Sequence, residues 1–372
     1  MIYMTYSATA CTDEIHTYKD IAFPQRAHVM PDTFRNAKTG LAYPPHNMFN
    51  KVITAEAIKY VTENPVKGKT AFIFAAGTQG WVGTQSRYDK NPEAELHYKT
   101  RLPFITLTTI YAGRVAAMFH AHDHVSTDAS ACASSLKVLM DMQNLMFYYG
   151  FDRVVVLSGE NAVCVQSLEF FGDSKACLTL KDEDGGKRKP SAFDDVNNGF
   201  YVGQGAALTI FEKEHPNMRP PLARFMGAYT SAEDNTNPLG QSECGEGYSK
   251  AIDGALSVAK LHKNKVRLVK THGTGTLVNN AAEKSALLRS LNEFVATSYK
   301  PRIGHTLSAS GLLETGLLLD DLKSGFVPKI CNRTTTDDVF LSGDVSAVSG
   351  PFLSLAAGMG NVFSAALFST EV

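Results

Sequence analysis

The sequence predicts a layered α/β protein, in which strands alternate with helices. Three observations carry that expectation. Short runs rich in β-branched and aromatic residues recur between longer segments of helical periodicity. Hydrophobic residues make up 44% of the 372 positions and charged ones 20%, enough apolar material for a sizeable core. No apolar stretch reaches the roughly 18 residues that a membrane-spanning helix needs.

The candidate strands are 71–74, 154–157, 206–211 and 266–269. Each is a short apolar run, and the second is closed by Ser158-Gly159. The candidate helices are 51–63, 132–149 and 280–296. The stretch 181–198 is charged and glycine-containing, so a surface loop is expected there. A second irregular stretch, 229–247, is rich in Ser, Asn, Glu and Gly. Trp81 sits among Gly77, Gly80 and Gly83 and is expected in a structural loop.

The formal net charge is −1, so no strong global field favours nucleic acid or anionic membrane, and neither is expected as a partner. Lys187-Arg188-Lys189 and the set Lys263, Lys265 and Arg267 are local basic patches. A solvated face explains them more simply than docking of an acidic partner. Six scattered cysteines without CxxC spacing argue against a disulfide framework and a structural zinc site. The N-terminal residues lack the apolar run of a secretory signal, so a reducing, cytoplasmic setting is expected. His120, His122 and His124 alternate and could share a strand face, yet a surface loop is the better reading, and no metal site is expected.

One cysteine stands out. After Cys132 the apolar residues Leu136, Leu139, Met140, Met142, Leu145 and Met146 follow helical spacing, and Gly150 suits a C-terminal cap. Cys132 therefore lies at or just before a helix start, where free amides and the helix dipole favour a thiolate. Its small neighbours, Ala129 to Ser135, leave room for a bulky group. The segment alone leaves two readings open, a nucleophile or an inert buried thiol.

Two histidine segments bear on that choice. Thr271-His272-Gly273-Thr274-Gly275-Thr276 follows the candidate strand 266–269 directly. Lys300-Pro301-Arg302-Ile303-Gly304-His305-Thr306 precedes a small-residue helix start, with Glu314 beyond it. Taken with Ala131-Cys132-Ala133-Ser134-Ser135-Leu136, in this order, the segments resemble the β-ketoacyl synthases of fatty acid and polyketide assembly. Ala192-Phe193-Asp194, Asn198 to Ala207, and Ser158-Gly159-Glu160 extend the likeness. It runs from about residue 120 onward; the first hundred residues fit only loosely.

The resemblance implies a thiolase-like, five-layered α/β/α/β/α fold of two related halves. Residues 1–213 would carry the nucleophilic cysteine and 214–372 the two histidines. Cys132 would attack the thioester of an acyl chain, and His272 and His305 would donate to the enolate left by decarboxylation of a malonyl unit. Lys300 and Glu314 count with them in the catalytic set, Lys300 keeping His305 neutral and Glu314 orienting Lys300. The backbone amides of Cys132 and Ala357 would form the oxyanion hole. Thr274, Thr276, Leu355 and Ala357 would contact the pantetheine arm or the substrate, and Glu283 would have a structural role. No cofactor is implied, because the substrates ride on the phosphopantetheine arm of acyl carrier protein. That carrier is the expected partner, together with a chain-length-factor subunit in a heterodimer, or a second copy in a homodimer. A histidine at position 305 favours elongation over the Cys-His-Asn and Cys-His-Cys relatives.

The sequence also departs from the family. Leu355 and Ala357 stand where its C-terminal motif has phenylalanines, the second of which gates the cysteine. Gln204 and Asn280 replace acidic residues. These departures imply a wider acyl entrance and lean toward the ketosynthase subunit of a type II polyketide system. Homodimeric fatty-acid elongation and an inactive partner-shaping subunit are the alternatives.

Overall fold

In the computed structural model, residues 1–29, 49, 51–77, 108–160, 162–237, 240–337 and 339–372 are described. The Trp81 segment lies outside them. Ten strands form the framework. Five belong to the first half: β1 (Ile2–Ala10), β2 (Lys69–Ala75), β3 (His124–Asp128), β4 (Phe151–Glu160) and β5 (Gly205–Lys213). Five belong to the second: β6 (Ala223–Ala232), β7 (Leu268–Lys270), β8 (Val295–Thr297), β9 (Pro351–Gly358) and β10 (Val362–Ser369).

The two sets repeat one topology. The first runs β1-β5-β4-β2-β3 and the second β6-β10-β9-β7-β8. In each, the first two pairings are antiparallel and the last two parallel. They join where Ile2, Tyr3 and Met4 of β1 pair with Phe225, Arg224 and Ala223 of β6.

Helices fill three layers around the strands. On one outer face lie α1 (Ala55–Glu63) and α2 (Thr108–Met118), packed on Phe72, Phe74, Leu208 and Ile210. In the middle lie α3 (Ser134–Tyr148) and, after α4 (Val165–Asp173), α5 (Glu246–Ala259), α6 (Leu277–Ser290) and α7 (Lys300–Ile303), the helix α8 (Ser310–Lys323). Both α3 and α8 touch strands of both halves. On the other outer face, α5 and α6 cover Val269, Leu353 and Leu367. The result is the expected α/β/α/β/α layering.

Period-2 geometry explains why the strands read as unbroken apolar runs. Ala71 and Ile73 point to the middle helices, while Phe72 and Phe74 point to the outer ones. Both faces are buried, so no polar alternation is needed.

Three expectations change in detail. The helix expected over 280–296 ends at Ser290, and 295–297 is β8; helical periodicity gives way to the strand-prone Phe294-Val295-Ala296. The stretch 229–247 is strand through Ala232, because β6 pairs with β10 along its length. Only the first part of 181–198 is a surface loop. Ser191 to Asp194 are buried, since the Asp194 carboxylate accepts backbone N–H bonds from Val196, Asn197, Thr334 and Thr335. His124 opens β3, and the rings of His120 and His122 meet edge-on at 6.0 Å. No group of three or more metal-binding side chains occurs among the described residues.

Candidate active site

Cys132 sits in a tight turn, Ala131–Ala133, that runs straight into α3. Ala131 has φ +47°, a left-handed conformation that costs an alanine about 1–2 kcal/mol. Cys132 is buried in an apolar cluster with Phe171, Phe200 and Leu307. Behind the turn lies β9: a Cβ on Gly358 would stand 2.6 Å from the Ser130 carbonyl oxygen. Only glycine lets the strand bearing Ala357 approach the turn so closely.

His272 leaves the end of β7, and its loop is held from below. The Glu283 carboxylate accepts N–H bonds from His272 (2.6 Å) and Gly273 (2.8 Å), and Asn279 donates to it at 3.0 Å. This is the structural role expected of Glu283. His305 follows α7. Its Nδ1 lies 3.0 Å from Ser310 Oγ and accepts from the Leu307 N–H at 3.3 Å. A backbone N–H can only donate, so Nδ1 accepts and Nε2 carries the ring proton. The Nδ1 of His272 is buried and has no hydrogen-bond partner among the described residues.

The two imidazoles meet edge-on with centroids 5.5 Å apart, and Phe200 packs against His305 at 5.0 Å. Cys132, His272, His305, Thr274, Thr276 and Ala357 line one cleft of about 200 Å³. Burial drives both histidines well below the usual imidazole range, and Lys300 and Lys270 push the same way. The rings are neutral at ordinary pH.

The thiol departs from expectation. Burial pushes Cys132 up to about 12; Lys300 opposes this and Glu160 adds to it. The helix start was expected to favour a thiolate, but desolvation in the apolar cluster outweighs it. The resting group is the thiol.

Lys300 and Glu314 do not line the cleft. They lie behind it, fully buried, paired at 2.8 Å, with Lys300 Nζ donating to the His272 carbonyl. They brace the histidine loop from below. Leu355 is also out of the cleft. Its side chain packs in the outer cluster with Leu353 and Phe363, because odd-numbered residues of β9 before the turn face α5 and α6. Lys270 was absent from the reading of the motifs. Its Nζ lies 3.1 Å from Glu314 Oε2 and 2.7 Å from the Leu355 carbonyl. A lysine two residues before His272 was the available signal.

A buried thiol and two buried imidazoles thus line one cleft in a fold built of two repeats. Residues 31–216 match the family model "Beta-ketoacyl synthase, N-terminal domain", and 222–334 match "Beta-ketoacyl synthase, C-terminal domain". The chain belongs to the β-ketoacyl synthase family. A Streptomyces halstedii protein, provisionally named polyketide beta-ketoacyl synthase 1, is 28% identical over 232 residues, covering 61% of this chain and 54% of that protein. The 3-oxoacyl-[acyl-carrier-protein] synthase 2 of Mycobacterium tuberculosis is 28% identical over 245 residues, covering 64% and 57%. The matched stretch thus spans little more than half the length of these relatives. Among solved structures, the ishigamide ketosynthase/chain length factor superposes with a TM-score of 0.79 at 17% identity, covering 100% of this chain and 99% of that one. A likeness at that identity speaks for the fold.

Proposed function

We propose that the chain is a decarboxylating condensing enzyme, a β-ketoacyl-[acyl-carrier-protein] synthase, serving a type II polyketide system. The observation that supports it is the convergence of Cys132, His272, His305 and Ala357 on one cleft. On this reading residues 1–213 hold the growing acyl chain, and 214–372 handle the charge that develops on the malonyl unit.

Acyl transfer comes first. The Cys132 sulfur attacks the acyl thioester, and the carrier's pantetheine thiol leaves. A thiol at about 12 releases its proton only as the new C–S bond forms. His272, neutral and lining the same cleft, takes that proton and passes it to the departing pantetheine sulfur. The backbone N–H groups of Cys132 and Ala357 receive the developing oxyanion, and each such donor is worth about 3 kcal/mol. Thr274 and Thr276, whose hydroxyls lie 3.2 Å apart at the cleft, guide the pantetheine arm.

Condensation follows. Malonyl-carrier protein loses carbon dioxide, and the enolate oxygen accepts from the Nε2–H of His305 and from His272. The carbanion attacks the acyl carbonyl, the C–S bond breaks, and the departing Cys132 thiolate takes up a proton from water to restore the thiol. Neutral rings suit this step, because a protonated imidazole would be the stronger acid and would quench the carbanion.

The carrier, a reducing cytoplasm and a dimeric partner belong to the same proposal. All six cysteines are free, and no described helix is long and apolar enough to cross a membrane. The mycobacterial relative keeps fatty-acid elongation as a second reading. The intact Cys132 weighs against a purely partner-shaping subunit. Incubation with acyl-carrier protein, followed by intact mass measurement, tests the proposal. One acyl adduct is expected on the wild type. No adduct, under conditions that label a control synthase, sinks it.

A further inference from the structure

We propose that Lys270 is a second positioning lysine of the condensing site, holding the oxyanion strand and the histidine loop to one buried charge cluster. This rests on the condensing reading and goes beyond it, because Lys270 belongs to none of the three motifs.

The geometry is a chain of contacts. The His272 carbonyl accepts from Lys300 Nζ, and Lys300 pairs with Glu314 Oε1 at 2.8 Å. Glu314 Oε2 pairs with Lys270 Nζ at 3.1 Å, and Lys270 donates to the Leu355 carbonyl at 2.7 Å. The loop of His272, the short helix α7, the helix α8 and the strand β9 are thereby tied together. All three charged side chains are fully buried.

The position of Lys270 explains its reach. β7 is three residues long and pairs with β9 only over Phe352, Leu353 and Ser354. At Leu355 that pairing has run out. The Lys270 amine turns across and takes the next carbonyl. Two residues further along β9 is Ala357, whose amide faces the cleft in the proposed reaction. β9 stays paired with β10 through Gly358 on its other edge, and on the β7 edge, where the ladder has ended, a charged donor takes the Leu355 carbonyl.

Lys270 also sets the electrostatics. The groups facing it are Glu314 from α8, Lys300 from α7 and Glu283 from α6. His272 and His305 both feel its charge, which disfavours their protonation. Two lysines share one glutamate, so the triad carries an excess positive charge beside the place where an enolate forms. Burial lowers Lys270 to about 8, with Glu314 acting against that shift. The excess charge is therefore present below about pH 8 and is lost as pH rises through it.

The test compares the full chain with K270Q and K270M. Glutamine can still donate to the Leu355 carbonyl but carries no charge; methionine does neither. In K270Q the ring signals of His272 and His305, read by NMR, should titrate higher than in the wild type. The decarboxylation rate of K270Q should lose the inflection near pH 8. K270M should lose condensation by roughly tenfold or more and should slow Cys132 acylation, read by intact mass, as well, because the Ala357 amide serves both steps. Ring titrations in K270Q identical to wild type overturn the proposal, and they do so whether or not the chain condenses. Absence of any acyl adduct on the wild type overturns the condensing reading instead. A melting curve for K270Q within a few degrees of wild type keeps unfolding out of the comparison.

Discussion

Ala131 and Leu307 hold matching places in the two halves. Each has a positive φ, +47° and +49°. Each opens a tight turn, Ala131–Ala133 and Leu307–Ala309, and each turn feeds a middle-layer helix, α3 or α8. The residues read Ala131-Cys132-Ala133-Ser134-Ser135-Leu136 in one and Leu307-Ser308-Ala309-Ser310-Gly311-Leu312 in the other. The same backbone device thus presents Cys132 once and Ser308 once. Cys132 faces the cleft. Ser308 is buried and donates to the Gly159 carbonyl at 3.1 Å. Repetition of the fold supplies the strained turn twice, and the side chain at its apex decides whether it serves chemistry or packing.

The largest expected effect breaks the symmetry directly. Cys132→Ala should abolish the covalent acyl adduct, since no sulfur remains. Ser308→Ala should keep the adduct and cost about 1 kcal/mol of stability, the loss of one hydrogen bond. Intact mass and thermal unfolding check both. Loss of the adduct in Ser308→Ala would show that the second turn takes part in the chemistry.

Next come two glycines: Gly358, behind the first turn, and Gly311, in the helix that follows the second. A Cβ on Gly358 meets backbone, Ser130 O at 2.6 Å and Ala133 N at 3.2 Å. A Cβ on Gly311 meets side chains, Leu136 Cγ at 2.5 Å and Ser135 Oγ at 2.8 Å. Backbone yields less easily. Gly358→Ala should displace the Cys132 turn and slow acylation by about a hundredfold. Gly311→Ala should overpack the α3–α8 contact, costing about 1–3 kcal/mol, with acylation near wild type. Acylation rates and urea midpoints separate the two.

The smallest effect leaves both turns alone. Burial would raise the Asp194 carboxyl, but the four backbone donors outweigh it and hold it at about 2. The folded value lies below the unfolded one. The stabilisation, about 2 kcal/mol, is therefore present above about pH 4 and is lost as pH falls toward 2. Asp194→Asn should flatten that acid limb of a pH–stability curve without moving either turn.

Cys132 and both histidines were legible because each sits in a short local motif. The Cys132 turn needs small residues and a helix start beside it, and His272 needs glycines to leave its strand. In the first half, the strands 71–74, 154–157 and 206–211 and the outer helix near 51–63 were legible, while β1, the outer helix α2 and the seam between β1 and β6 were not, because they carry no motif, only burial that depends on a distant partner.

By itself the sequence determined the alternation of strands and helices, the order of the three reactive segments and the family to which they belong. Each of these is written in near neighbours, through periodicity, turn residues and spacing. Only the tertiary structure decided that Lys270 joins Lys300 at Glu314, that Leu355 turns outward while its carbonyl holds the lysine, and that the Cys132 thiol stays protonated. The reason is physical. Charge pairing and desolvation depend on what lies within a few ångströms in space, and Lys270 and Glu314 are 44 residues apart in the chain.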